Sequence, residues 1–214
     1  MFNKRQKDFN KKSIITLSDP LNYISDSYRR IKVNIEAKDK DYKVFMVTSA
    51  LDKEGKSLFL INLAKAYSED KNKKVLVVDL NLRNPSLHEY YGVNNENGIT
   101  NYIENNIEIN INNDDKFGFS LISSGSSTTY PTSLLEQEKL SDLIKELKKE
   151  YDIILLDTPS VLSCPDALVV AKYSDATLFV VSKVVSNKKD SRLALKELKS
   201  NNINVIGSVY NDVK

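Results

Sequence analysis

The stretch Val44-Phe45-Met46-Val47-Thr48-Ser49-Ala50-Leu51-Asp52-Lys53-Glu54-Gly55-Lys56-Ser57 decides the fold. An apolar, β-prone run feeds a turn that ends Gly-Lys-Ser, and a helix-period apolar pattern from Leu58 to Tyr67 follows directly. A phosphate-binding loop has this setting: N–H groups of the turn and the positive end of the next helix face the phosphates. In that reading Lys53, Glu54, Gly55 and Leu58 belong to the nucleotide-cradling turn. Lys56 reaches the β- and γ-phosphates, and the Ser57 hydroxyl ligates Mg²⁺. Ala50 stands where the Gly-x-x-x-x-Gly-Lys-Ser/Thr pattern has its first glycine.

Working outward, short apolar runs alternate with helix-period segments, which is the pattern of βαβ units and a mostly parallel sheet. The runs Lys43–Thr48, Lys74–Val78, Phe119–Ile122, Ile153–Leu156, Ala176–Val181 and Val205–Tyr210 are expected strands. Several are continuously apolar, as strands covered on both faces are. Expected helices are Tyr23–Ile35, Ser57–Ser68, Pro85–Tyr91, Gly98–Glu104, Leu134–Lys149, Pro165–Tyr173 and Lys189–Lys199. The Asn-rich stretch Asn105–Asp115 reads as a surface loop. The expected fold is α/β, a doubly wound, mostly parallel sheet of P-loop NTPase type with helices on both faces. Residues 1–19 are expected to form a basic flexible arm (Lys4, Arg5, Lys7, Lys11, Lys12) and residues 20–214 the P-loop domain.

Composition narrows the chemistry. Lys and Arg total 31 against 29 Asp and Glu, so no global charge argues for nucleic acid. No apolar run approaches the length of a membrane span, and no secretory leader is evident. The single cysteine, Cys164, excludes an internal disulfide, fits a reducing cytoplasm and reads as a small buried residue. The single histidine, His88, removes multi-histidine metal sites and reads as structural. The chemistry therefore rests on Lys, Ser, Asp and backbone groups.

Ligands of such a sheet bind at the carboxyl ends of its strands. Two acidic residues close apolar runs there: Asp79 after Val75-Leu76-Val77-Val78, and Asp157 after Ile153-Ile154-Leu155-Leu156. Burying a carboxylate is costly unless a cation or a donor meets it. Beside a phosphate loop the pair points to Mg²⁺, which takes one or two carboxylates together with phosphate oxygens and water.

These segments resemble the bacterial tyrosine kinases of capsule and exopolysaccharide synthesis, a branch of P-loop ATPases. The resemblance spans about 190 residues from near Pro20 and rests on the phosphate loop, Asp79 with Arg83-Asn84-Pro85-Ser86-Leu87-His88, and Asp157-Thr158-Pro159. It also includes Asn97-Gly98-Ile99-Thr100-Asn101, Pro165-Asp166-Ala167 and Ile206-Gly207-Ser208-Val209-Tyr210-Asn211. It implies ATP-dependent phosphorylation of tyrosine, with Lys56 and Ser57 holding phosphates and metal, and Asp157 on Mg²⁺. Asp79 would orient or deprotonate the tyrosine hydroxyl and stand near the metal, Asn81 would share the catalytic centre, and Asn211 would contact adenine. The family associates through a helix carrying Glu-x-x-Arg-x-x-Arg, matched here by Asp26, Arg29 and Lys32, so a homo-oligomer is implied. Also implied are an activating cytosolic tail of a transmembrane polysaccharide co-polymerase and a cytoplasmic location at the inner membrane face.

Three departures bear on activity. Asn81 replaces the second acid of the family's Asp-x-Asp-x-Arg, removing a charge. Lys53 replaces a glycine, restricting the backbone. The family's terminal tyrosine cluster has no counterpart before Lys214, and the 11 tyrosines are scattered. Two alternatives therefore stand beside the kinase: a catalytically weakened ATP-binding regulatory module of the same complex, and a ParA- or MinD-type ATPase. The last carries a lysine five residues before the loop lysine, where this chain has Leu51.

Overall fold

A computed structural model describes residues 14–39 and 41–212. In chain order the elements are α1 (Ile15–Ser18), α2 (Tyr23–Glu36), β1 (Val44–Ser49), α3 (Lys56–Tyr67) and β2 (Val75–Asp79). Then follow α4 (Leu87–Tyr91), α5 (Ile99–Asn105), β3 (Ile111–Asn113), β4 (Ser120–Ile122), α6 (Pro131–Leu135) and α7 (Glu138–Glu150). The chain continues with β5 (Ile153–Asp157), α8 (Asp166–Val170, prolonged by a 3₁₀ turn to Tyr173), β6 (Ala176–Ser182), α9 (Lys188–Ser200) and β7 (Val205–Asn211). The strands form one sheet in the order β3-β4-β2-β5-β1-β6-β7, parallel throughout except for β3, which runs antiparallel to β4.

The continuously apolar strands divide their side chains between two cores. Phe45, Val47, Val75, Val77, Ile153 and Leu155 face one layer, with Tyr28 and Ile35 of α2 and Phe59, Leu63 and Tyr67 of α3. Val44, Met46, Leu76, Val78, Ile154 and Leu156 face the other, with Leu140, Ile144 and Leu147 of α7. The period of two along each strand sends alternate residues to opposite helical layers, so a doubly wound sheet needs apolar residues at every position.

The structure departs from the sequence expectations at three places. The stretch read as a loop, Asn105–Asp115, contains β3: Ile111, Asn112 and Asn113 pair with Ile122, Leu121 and Ser120. Asparagine is disfavoured in strands, and the pairing is won by the open edge of β4. The single helix expected over Leu134–Lys149 is two, because Gln137 adopts an extended backbone between α6 and α7. The helix expected from Pro85 begins at Leu87, since the Asp79 carboxylate accepts the N–H groups of Ser86 and Leu87 and fixes the start there.

Ile14–Ser18, part of the sequence-derived arm, packs on the domain with Ile14 and Ile15 in the core. The contact is polar at its centre. The buried Asn62 side chain accepts from the Thr16 N–H and hydroxyl at 3.0 Å each and donates to the Leu58 carbonyl at 2.8 Å. Asn62→Ala orphans the buried Thr16 N–H and leaves its hydroxyl only the residue-62 carbonyl at 3.4 Å, so the unfolding free energy is expected to drop by about 2 kcal/mol in urea titration. An unchanged midpoint would show that α1 contributes nothing to the domain. The basic residues Lys4, Arg5, Lys7, Lys11 and Lys12 lie outside the described residues.

Candidate nucleotide site

The phosphate loop spans the end of β1 and the first turn of α3. Gly55 turns the chain into the helix at φ +86°, and a Cβ there would stand 2.1 Å from the Asn211 amide nitrogen. Two independent constraints thus require glycine at this position. Lys53 also has positive φ, 62°, where a β-carbon is strained. Lys53→Gly is expected to raise the unfolding free energy by up to about 1 kcal/mol, less what the unfolded chain gains in entropy. A loss of stability by chemical denaturation would refute this account of the loop.

Beyond Gly55, the first-turn N–H groups of α3, including those of Lys56, Ser57 and Leu58, precede any i−4 carbonyl of the helix and are suited to an anion. The Lys56 ammonium is buried, donates to the Ser49 hydroxyl at 3.2 Å, and has its pKa lowered by burial against the opposing pull of Asp157, Asp52 and Glu54. The Ser57 hydroxyl donates to Asp157 Oδ2 at 2.6 Å. A cleft of about 400 Å³ opens here, lined by Asp52, Lys53, Gly55, Lys56, Ser57, Leu58, Asn81, Arg83, Asn84, Ser86, Tyr90, Pro159, Ser163 and Cys164.

Register brings the two strand-closing acids together. Asp79 and Asp157 are paired partners across β2 and β5, and both are fully buried. Two buried carboxylates side by side resist double ionisation. Asp79 is pushed up to about 8, by burial first and then by the charge of Asp157. Asp157 is pushed up to about 6 by burial, with Ser57, Lys56 and the Thr158 N–H pulling the other way.

Their hydrogen bonding differs. Asp79 accepts from the N–H of Asn81 on one oxygen and from those of Ser86 and Leu87 on the other, each at 3.2 Å. Asp157 Oδ1 is buried and has no partner among the described residues. An orphaned oxygen on a buried carboxylate that is hydrogen-bonded to the cleft-lining Ser57, next to the cleft that carries Lys56, fits a hydrated Mg²⁺ accompanied by phosphate oxygens. Among the described residues no group of three or more His, Cys, Asp or Glu forms a cage for a metal.

Other sequence-derived residues sit differently. Glu54 is 1% exposed, and its carboxylate accepts from the Leu51 N–H at 2.8 Å and from the Ser186 hydroxyl, so the side chain braces the loop from behind. Asn211, at the end of β7, donates to the Glu54 carbonyl at 3.1 Å and holds the loop rather than lining the cleft. Asn81 lines the cleft and closes a turn by accepting the Asn84 N–H on its backbone carbonyl. Cys164, expected to be buried, is half-buried at the cleft wall because it lies on the loop that follows β5.

Several residues were not singled out by sequence reasoning. Asp52 is tied across to the β5–α8 loop by the hydroxyls of Ser160 at 2.5 Å and Ser163 at 3.1 Å, and the Ser160 bond leads in lowering its pKa. Tyr90 lines the cleft and its pKa is raised by burial and then by Asp157, whereas its neighbour Tyr91 turns into the core and bonds the Phe119 carbonyl at 2.8 Å. The adjacency of Tyr90 and Tyr91 was visible in the sequence, but the face each occupies was not.

The residues implied in self-association are engaged within the chain. Arg29 donates to Glu69 at 2.8 and 2.6 Å, to Asp26 at 2.8 Å and to the Pro20 carbonyl at 2.8 Å. The Lys32 ammonium lies 5.5 Å from the centre of the Tyr67 ring. Among the described residues no helix is long and apolar enough to cross a membrane.

Comparison with known proteins follows the same lines. The AAA domain family model matches residues 52–187, which carry the phosphate loop, both acids and the Ser160–Ser163 loop. The tyrosine-protein kinase YwqD of Bacillus subtilis (strain 168) is 28% identical over 208 residues, covering 95% of this chain and 87% of that protein. A putative tyrosine-protein kinase in the cps region of Klebsiella pneumoniae is 28% identical over 99% of this chain, which spans only 30% of that protein's length. The kinase domain of the Escherichia coli tyrosine kinase ETK superposes with a TM-score of 0.87 at 26% identity, covering 94% of this chain and 80% of that one. By its matching model, its fold and these relatives, the chain belongs to the AAA domain family, on the branch of the bacterial tyrosine kinases.

Proposed function

We propose that the chain binds ATP with Mg²⁺ and transfers the γ-phosphoryl group to tyrosine hydroxyls. The observation that carries this reading is the orphaned Oδ1 of the buried Asp157, set beside Ser57 and Lys56 at the head of α3. Ser57 and Asp157 would hold Mg²⁺, with Asp79 alongside, and the bound ion would neutralise charge developing on the phosphates. Lys56 binds and orients the β- and γ-phosphates. Gly55 and the first turn of α3 contribute N–H donors, with Lys53, Glu54 and Leu58 shaping the turn around them. Asp79 would orient or deprotonate the tyrosine hydroxyl only in its ionised form, which Mg²⁺ alongside would favour over the protonated form that burial and Asp157 favour without the ion. Asn211 would border the adenine, and Asn81 would bind a metal-held water without adding charge.

The wider role in this reading is regulation of capsular or exopolysaccharide synthesis and export, supported by the cps region named for the Klebsiella relative. The chain would then work in the cytoplasm, peripheral at the inner membrane face, beside the cytosolic tail of a transmembrane co-polymerase. Self-association through Asp26, Arg29 and Lys32 would require Arg29 to exchange its bonds to Glu69 and Asp26 for intersubunit ones. Of residues 1–19, the part from Ile14 packs on the core and belongs to the domain in this reading.

One observation favours a second reading. Asn81 sits in the cleft where the family carries an acid, and a module that binds ATP but transfers slowly would result. A ParA- or MinD-type switch has less support. Leu51, at the place of its extra lysine, packs against the core around Phe179.

The test is incubation of the full chain with γ-labelled ATP and Mg²⁺, with and without the cytosolic tail of its membrane partner, reading phosphotyrosine on the chain and on a Glu/Tyr copolymer. Phosphotyrosine from the wild type is expected. ATP binding without any phosphotyrosine would replace the kinase by the regulatory module.

A further inference from the structure

Arg83 stands at the cleft wall in an unusual setting. Its Nε donates to Asp166 Oδ2 at 2.9 Å, and its Nη2 donates to Asp166 Oδ1 at 3.1 Å and to Thr132 Oγ1 at 3.0 Å. Thr132 in turn donates to Asp166 Oδ1 at 2.6 Å. The Asp166 side chain is wholly buried, yet the Arg83 side chain is 42% exposed and lines the phosphate cleft with Lys56, Ser57 and Asn81. Of the five guanidinium donors, three are consumed by Asp166 and Thr132, and both N–H groups of Nη1 lie outside that bidentate clamp.

The loop bearing Arg83 is fixed at both ends by one carboxylate of the site. Asp79 accepts the N–H of Asn81 before it and those of Ser86 and Leu87 after it. Among the described residues lining the cleft, the only acid is Asp52, and its oxygens are taken by Ser160 and Ser163. The remaining lining charge is positive: Lys53, Lys56 and Arg83. Cys164 on the same wall is a further side-chain partner of the guanidinium, and simple neutralisation of Asp166 would not require the cation to be held facing the cleft.

We propose that Arg83 is a catalytic residue that contacts the γ-phosphoryl oxygens during transfer, aimed from behind by Asp166 and Thr132. The assignment rests on the phosphotransfer reading above. In the step it serves, the phenolic oxygen bonds to the γ-phosphorus, and the bond from phosphorus to the β,γ-bridging oxygen breaks with its electron pair leaving on ADP. The phenolic proton goes to the base, and the guanidinium gives up none. Its contribution is charge stabilisation from a fixed position, the function of an arginine finger supplied within the chain.

The decisive variant is the double substitution Arg83→Gln with Asp166→Asn, which replaces the ion pair by a neutral hydrogen-bonded one. It is assayed as the full chain with ATP, Mg²⁺ and the Glu/Tyr copolymer. Expected are a near-native melting temperature, affinity for a fluorescent ATP analogue within about threefold, and a kcat lower by about 100-fold with little change in KM. A folded double variant with kcat within about threefold of wild type overturns the assignment, leaving Arg83 only a partner for Asp166. If the double variant fails to fold, Arg83→Lys decides. It keeps Asp166 paired but cannot offer a fork, so kcat is expected to fall by about tenfold or more, and an undiminished kcat overturns the assignment. A wild-type chain that transfers nothing removes the phosphotransfer reading and this assignment together, whereas an active wild type with an active double variant removes this one alone.

Discussion

Lys56→Met is expected to reduce phosphotransfer by at least about 100-fold, because it removes the ammonium that meets the phosphates in a water-poor setting. The argument starts from burial. Lys56 sits on the first turn of α3 with its ammonium against Ser49, and its pKa is lowered because little water reaches it. The nearby charges of Asp157, Asp52 and Glu54 pull the other way, towards the charged form. Methionine has nearly the same length and no charge, so packing survives while the cation is lost. The loss should appear in both ATP affinity and turnover, since the charge is present before and during transfer. Fold retention is checked by the melting temperature, and activity by phosphotyrosine on the copolymer. Turnover within a few-fold of wild type would show that Lys56 faces no phosphate.

Asp157→Asn is expected to act in opposite directions on stability and activity. Both buried acids have raised pKa values, about 6 for Asp157 and about 8 for Asp79, against about 4 in an unfolded chain. A raised acid binds its proton more tightly in the folded state. Its stabilising contribution is therefore complete below about pH 4 and is lost as pH rises through the folded value. The metal-free wild type should lose melting temperature between about pH 4 and pH 8, over the window those shifts define. Asparagine removes one buried charge, relieves Asp79 of its neighbour, and still accepts from Ser57, so the decline should flatten and the pH 8 melting temperature should rise. Mg²⁺ with nucleotide should stabilise the wild type at pH 8 and leave the variant nearly unmoved. Transfer should fall by about 100-fold or more once the metal loses its charged oxygen. A variant less stable than wild type at pH 8 in chelator would mean that Asp157 is ionised and already satisfied. Unaltered Mg²⁺-dependent transfer would mean that the metal sits elsewhere.

The two acids illustrate how much of the site could be read before the fold was known. Each closes a run of apolar residues, and in a parallel sheet such runs end on one rim, so Asp79 and Asp157 were assignable to the phosphate end although 78 residues separate them. The resemblance set Asp157 on Mg²⁺ with Asp79 near it, but how far each carboxylate is already hydrogen-bonded was not readable. That depends on whether backbone donors fill the carboxylate, and those of Ser86 and Leu87 reach Asp79 only because the loop after β2 folds back over it. Glu54 makes the same point from the other side. Its place in the Gly-Lys-Ser loop suggested a ligand-facing residue, whereas the approach of Ser186, 132 residues later, turns its carboxylate into a brace.

The sequence by itself determined the element types, the two-sided burial of the sheet, the phosphate loop and the pair of strand-closing acids. These follow from local periodicity and steric rules, which operate over a few residues. Only the tertiary structure decided the antiparallel edge of β3, the division of α6 from α7, the cleft position of Tyr90 and Cys164, and the clamp of Asp166 and Thr132 on Arg83. Those features arise where loops from distant parts of the chain cross one rim of the sheet. There a hydrogen bond's energy depends on which groups happen to be desolvated together, and no window of sequence contains both partners.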